Sequence, residues 1–213
     1  VIRTWWQVDA ENSHRTWVIV APGPSLDSMP APIVSGFSGF PTIAVDGAAA
    51  HPGLDYQYWC CWEAPRPIHT ACLERARKIR PALVTQWDAA EEWEELMELR
   101  VGTPALPLDP LVIAHHPKHD SIAGFWSQMR LDRGPSWLAA IRYALARGLA
   151  RRLYLVGLDL AGEGYGLRLV DSRQRDSSEW EGRWKGERRM LAATMRRMRK
   201  LGISIERIPA KKL

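Results

Sequence analysis

The chain has 213 residues, 46% hydrophobic and 25% charged, with a net charge of +5. That is the composition of one globular domain large enough to bury a core, and it excludes a disordered or collagenous chain. No apolar run approaches the ~20 residues that cross a bilayer, and no basic-then-apolar segment reads as a secretory signal, so a cytoplasmic protein without a membrane span is expected.

Three cysteines, Cys60, Cys61 and Cys72, make no disulfide framework and suit buried, reduced thiols. Charge is unevenly spread. Residues 1–129 hold 9 Lys and Arg against 15 Asp and Glu, whereas residues 130–213 hold 20 against 9. Such a basic half suggests a polyanionic partner, a nucleotide phosphate or nucleic acid, although an Arg-rich solvated helix face has the same composition.

Residues 1–16 carry Trp5 and Trp6 without a clean period and read as an N-terminal arm or an edge element. Residues 17–213 read as one domain. It opens with Trp17–Asp27, WVIVAPGPSLD, where a run of β-formers stops at a Pro-Gly-Pro-Ser turn. Gly23 permits a close backbone approach, Pro24 stiffens the turn, and Ser25 is placed to cap a helix or offer its hydroxyl and N–H to a phosphate. Thr42–Asp46 is a second buried strand closed by Asp46-Gly47, and Tyr56–Trp62 a third.

Ile68–Arg80 has a helical apolar face and is stopped by Pro81 before the strand Ala82–Thr85. Asp88 caps an acidic helix, and Leu111–His115 is a further strand-like run. Ser136 stands as the N-cap of a helix with Leu138, Ile141, Ala144, Leu145 and Leu149 on one side. Leu153–Leu160 follows as a buried parallel-type strand ending in Gly157 and Asp159.

Ala161–Gly186 reads as a functional loop or lid, Glu187–Leu201 as an amphipathic helix, and Ile203–Ile208 as the last strand. Strands alternating with helices give an α/β class with a mostly parallel sheet and helices on both faces.

In such a sheet the carboxyl ends of the strands converge. Gly23, Ser25, Asp46, Gly47, Gly157 and Asp159 then gather near the helix start at Ser136, a setting suited to a nucleotide. A GxxxxGK[ST] loop, a GxGxxG turn and a GxSxG elbow are all absent. The His-His-Pro-Lys-His run at residues 115–119 has no Cys or carboxylate at ligand spacing, and no metal site is assigned. Trp180 and Trp184, interleaved with Arg183 and Lys185, suit either stacking on a base or sugar of an acceptor or packing of a lid onto the sheet.

The Gly-Pro-Ser-Leu turn, the polar residue closing the second strand, the Ser136 helix and the Tyr-Leu-Val-Gly-Leu-Asp strand end resemble the sialyltransferase-like Rossmann superfamily. That group includes bacterial CMP-sialic acid-dependent sialyltransferases, motility-associated-factor glycosyltransferase-like proteins, archaeal hydroxymethylpterin pyrophosphokinase-like proteins and small phage-encoded relatives. The resemblance covers Trp17–Asp46 and Gly134–Asp159 and implies a single Rossmann-like domain.

It implies that Gly23, Pro24 and Ser25 shape a nucleotide-phosphate pocket, that Asp46 and Ser136 contact the nucleotide, and that Asp159 closes the strand end beside it. Tyr165 is similar to a tyrosine that steadies the leaving phosphate, at a spacing two residues shorter. The sialyltransferases have Asn where Pro22 stands and use a histidine base beyond the second motif; here no histidine follows His119. The base is then a carboxylate such as Glu163, Asp171, Asp176 or Glu179, or His115, His116 or His119 from the preceding strand end.

The resemblance implies group transfer from a nucleotide-activated donor, foremost glycosyl transfer from a nucleotide-sugar. A phosphate-rich acceptor such as modified phage DNA suits the basic half. Pyrophosphoryl or nucleotidyl transfer, and a non-catalytic nucleotide-binding or phage assembly role, are the alternatives.

Overall fold

The computed structural model describes residues 2–4, 16–29, 34, 39–86, 89–93, 95–96, 112–115, 135–148, 150–161 and 177–208. Among the described residues eight strands form one sheet: β1 (Ile2–Thr4), β2 (Thr16–Val20), β3 (Thr42–Val45), β4 (Tyr58–Cys60), β5 (Ala82–Gln86), β6 (Val112–His115), β7 (Arg152–Val156) and β8 (Ser204–Ile208). Their spatial order is β1-β6-β5-β4-β3-β2-β7-β8. Every pairing is parallel.

The chain steps outward from β2 to β6 and then returns to lay β7 on the free side of β2. The direction of winding therefore reverses between β2 and β7. In an open α/β sheet the crevice outside the strand ends at this reversal is where ligands bind.

Alternation along β2 divides the core. Trp17, Ile19 and Ala21 face one layer, and Val18 and Val20 face the other. The first layer is closed by helices α3 (Ser136–Gly148) and α4 (Ser177–Lys200), which contribute Leu138, Ile141, Tyr143, Trp180, Trp184, Leu191 and Met198. The second is closed by α1 (Pro24–Asp27), α2 (Thr70–Ile79), the 3₁₀ turn Asp46–Ala50 and the helical residues 89–93. Three layers, helices on both faces of a parallel sheet, follow directly from strands that are apolar on both sides. Cys60, Cys61 and Cys72 are all buried free thiols.

Several elements differ from their expected extents. Part of the N-terminal arm forms β1, an edge strand in register with β6. The aromatic strand narrows to Tyr58–Cys60. Leu153–Leu160 pairs only as far as Val156, because Gly157 (φ 65) and Leu160 (φ 52) turn the chain out of the sheet.

The largest difference lies in 161–186. Helix α4 begins at Ser177, inside the segment expected as a loop and ten residues before the expected helix start. Gly182 and Gly186 disguise this first half in the sequence. Both are exposed, where a missing side chain costs helix propensity but no packing. Trp180, Trp184, Glu187, Leu191, Thr194 and Met198 supply the buried stripe.

Candidate functional site

The turns that follow β2 and β7 are locked together. Strand pairing runs on past the strands, with Ala21 N–H donating to Val156 O and Gly23 N–H to Gly157 O, both at 2.8 Å. A Cβ on Gly23 would lie 2.2 Å from the Gly157 oxygen and 2.5 Å from Asp159 Oδ2. One on Gly157 would lie 2.2 Å from the Ala21 oxygen, at a φ of 65 that side chains resist. Both glycines are therefore required by the contact between the two turns.

Asp159 fastens the same corner. Its Oδ2 accepts the Ser25 N–H at 2.7 Å, while its carbonyl accepts from Arg207 of β8. Arg188 of α4 donates to the neighbouring Leu160 carbonyl at 2.8 Å. The Ser25 N–H, expected to meet a phosphate, is thus occupied by a carboxylate of the chain itself. Ser25 Oγ is buried and has no hydrogen-bond partner among the described residues, so it is a polar atom available at this corner.

One strand away stands Asp46. It closes β3 in the left-handed region (φ 44), a conformation that Asp and Asn tolerate better than most side chains. Its carbonyl accepts from Trp59 Nε1 at 3.0 Å. Ser136, at the N-terminus of α3, and Cys61, just past β4, lie beside its carboxyl, and the Cys61 thiol donates to the Glu63 carbonyl at 3.8 Å.

Ser136 is buried and its Oγ accepts the Trp62 N–H at 3.3 Å. Burial pushes the Asp46 carboxyl up from 3.8 to about 7, and the repulsion of Glu63 adds to this; the polar groups of Ser136 and Cys61 and the charge of Arg183 work in the opposite direction.

Behind Cys61 lies His69, whose Nε2 is 3.5 Å from the sulfur. His69 Nδ1 accepts the Arg66 N–H at 3.0 Å, which leaves the ring proton on Nε2. Burial lowers His69 to about 4, so it is a neutral donor at physiological pH. Burial also raises the Cys61 thiol well above its ordinary value, with the Asp46 charge adding to the shift.

The third wall is the first half of α4. Trp180 and Trp184 stack at 5.1 Å and are 4% and 3% exposed, while Arg183 lies 5.8 and 5.4 Å from their ring centres. Arg183 Nε donates to Glu187 Oε1 at 2.8 Å, and Trp137 Nε1 donates to Glu187 Oε2 at 2.9 Å. Glu187 thereby ties α4 to the start of α3, beside Ser136. The indole faces pack on each other and on the core, the second of the two arrangements that their sequence suits. Arg183 remains at the crevice and Lys185 is exposed.

The structure thus gathers Gly23, Pro24, Ser25, Asp46, Gly47, Ser136, Gly157 and Asp159 at one carboxyl edge. It does not bring His115 there. That residue ends β6, four places from β2, or ~19 Å at ordinary strand spacing. His116, Glu163 and Tyr165 lie outside the described residues. Cys61, Trp137 and Glu187 are site residues that the sequence reading missed, and only the helical spacing of Glu187 from Trp180 and Trp184 signalled any of them. Among the described residues no three His, Cys, Asp or Glu side chains are grouped to hold a metal.

No family model matches the sequence, and no curated protein matches it. A solved structure does: the MAf glycosyltransferase from Magnetospirillum magneticum AMB-1, with a TM-score of 0.56 and 15% identity. The match takes in 95% of this chain and 34% of that one, so the chain spans about a third of its length. The fold is glycosyltransferase-like. At that identity the likeness establishes architecture and leaves the chemistry to the residues. No helix of the described residues is long and apolar enough to cross a membrane.

Proposed function

We propose that the chain is a group transferase of the sialyltransferase-like superfamily that takes its group from a nucleotide-activated donor, with glycosyl transfer from a nucleotide-sugar as the reaction. The observation that carries this reading is the locked turn pair, Gly23 N–H on Gly157 O at 2.8 Å, at the point where the winding of the sheet reverses, with Asp46 and Ser136 at the same edge.

The donor's nucleotide lies in the crevice between these walls, in contact with Ser25 Oγ, Asp46 and Ser136. Arg183 supplies the positive charge for the departing phosphate. The chain's own carboxylate at the Ser25 N–H directs the phosphates toward Ser25 Oγ and Arg183 rather than onto the start of α1.

A phosphate-rich acceptor, nucleic acid, fits the outer side of α4. There Lys185, Arg189, Arg196 and Arg199 are exposed, recur at helical spacing and make no ion pair among the described residues. Nucleic acid binding that falls steeply with added salt supports this acceptor; salt-independent or undetectable binding contradicts it.

Thermal-shift titration with CMP, CDP, UDP, GDP and ATP tests the donor site. A matching nucleotide at a hundred times its Kd stabilises the fold by about 2.7 kcal/mol. A flat response to all five contradicts the reading. A response to ATP alone, with pyrophosphoryl or nucleotidyl transfer to an acceptor on product analysis, replaces glycosyl transfer by that reaction.

A further inference from the structure

We infer that Arg188 and Arg207 form a phosphate subsite at the carboxyl end of β7, outside the crevice assigned to the nucleotide. The subsite goes beyond the donor reading above and does not depend on it.

Leu160 has a φ of 52, a backbone conformation that bulky side chains resist. The chain reverses there, and two successive carbonyls turn toward β8 and α4. The Asp159 carbonyl accepts from Arg207 of β8, and the Leu160 carbonyl accepts from Arg188 of α4 at 2.8 Å. Bonds to adjacent residues thus bring guanidiniums from two separate elements to one place.

The acids nearby do not neutralise the pair. Arg207 is in register with Leu155 and lies on the same face of β8 as Ile205, toward α3 and α4. Glu206 is on the opposite face, in register with Tyr154. The Asp159 carboxylate is drawn the other way, onto the Ser25 N–H. Among the described residues the acid that meets the pair is Glu181, through Arg188; its side chain is 63% exposed, so water screens that bond. Arg207 is exposed and makes no ion pair among the described residues.

Holding a carbonyl takes a single N–H, which a neutral side chain could supply. A guanidinium carries several N–H donors in a rigid fork that matches oxyanions. Arg207 spends Nη2 on Asp159, and Arg188 spends Nη1 on Leu160 and Nη2 on Glu181. Nε and Nη1 of Arg207 and Nε of Arg188 make no bond among the described residues. Donors arriving from two sides suit a phosphate group, with its three acceptor oxygens, better than a carboxylate.

Asp159 links the pair to the crevice, because its carboxylate holds Ser25 and its carbonyl holds Arg207. The group bound is therefore either the second phosphate of a nucleoside diphosphate in the crevice or a phosphate of a separate molecule such as the acceptor.

Arginine Nε–H signals of the full chain are followed by NMR while inorganic phosphate, CMP and CDP are titrated in, for the native protein and for Arg207→Gln, Arg188→Gln and Arg152→Gln. Arg207 is exposed on an edge strand, so its variant folds; Arg152, exposed at the amino end of β7, removes the same charge away from the site. Inorganic phosphate is expected to shift the Arg188 and Arg207 signals. Its Kd is expected to rise about tenfold in Arg207→Gln and in Arg188→Gln, and less than about twofold in Arg152→Gln. If the group is the donor's second phosphate, CDP binds more tightly than CMP and loses that advantage in Arg207→Gln. If it belongs to a separate molecule, CMP and CDP bind alike and phosphate still binds the chain saturated with CMP.

Phosphate that moves neither signal, a Kd unchanged in Arg207→Gln, or a loss as large in Arg152→Gln overturns the subsite, and nucleotide binding that persists leaves the donor site standing. Phosphate expelled by CMP, with CDP binding no better than CMP, overturns its placement outside the crevice. A chain that binds phosphate at the pair but neither nucleotide keeps the subsite and counts against the donor reading.

Discussion

Two corners of the same sheet edge are built on opposite principles. At β2 and β7 the turns touch backbone to backbone, two glycines admit no side chain, and Asp159 is engaged by Ser25, Arg188 and Arg207 at or beside it. One strand away, Asp46 is flanked by side chains from α3 and the segment after β4, and burial pushes its carboxyl up to about 7. The first corner sets a shape; the second supplies a group whose charge changes. The glycine-containing motif therefore marks the place, and a carboxylate raised toward neutrality lies beside it.

Breaking the rigid corner should have the largest effect. Gly157→Ala puts a methyl 2.2 Å from the Ala21 oxygen at a positive φ, and a loss of about 3 kcal/mol or more is expected on urea unfolding. A smaller loss would mean that the two turns can separate cheaply. Glu187→Ala comes next. It strips one ion-pair partner from Arg183 and the acceptor from Trp137 Nε1 in a buried setting, and a loss of about 2–3 kcal/mol is expected. Asp159→Ala leaves the Ser25 N–H without its acceptor and should cost about 1–2 kcal/mol.

The titrating corner answers to pH instead. The folded Asp46 pKa, about 7, is above its ordinary 3.8, so between those values the folded chain holds a proton that the unfolded chain has released. The contribution of Asp46 to stability is complete below about 4, falls as pH rises toward 7, and levels off above it, with a slope of at most about 1.4 kcal/mol per unit. Asp46→Asn removes that slope. Urea unfolding of both proteins from pH 4 to 8 should converge at the acid end and leave the variant more stable at pH 8. Parallel curves would contradict the assignment of the shift to Asp46.

Much of the sheet was legible from residues alone. Short β-branched runs such as Thr42–Val45 and Arg152–Val156 declare themselves, and Gly23 and Gly157 mark where the chain must turn. The start of α4 was hidden by Gly182, Gly186 and the density of charge, since its helical stripe begins with two indoles rather than aliphatic residues. The site was legible as a set of positions and not as roles. Asp159 carries the residue type of a catalytic group, yet its carboxylate is engaged by Ser25, 134 positions away in sequence. The titration of Asp46 depends on burial by α3 and on Cys61 and Ser136, which no local pattern connects to it.

The most direct test of the central claim is an amide chemical-shift map with CDP, UDP and GDP added in turn. The account predicts that a binding nucleotide perturbs the amides of residues 23, 25, 46–47, 136 and 157–160 together. Perturbations confined to the β5–β6 side of the sheet, or none with any of the three, would contradict it.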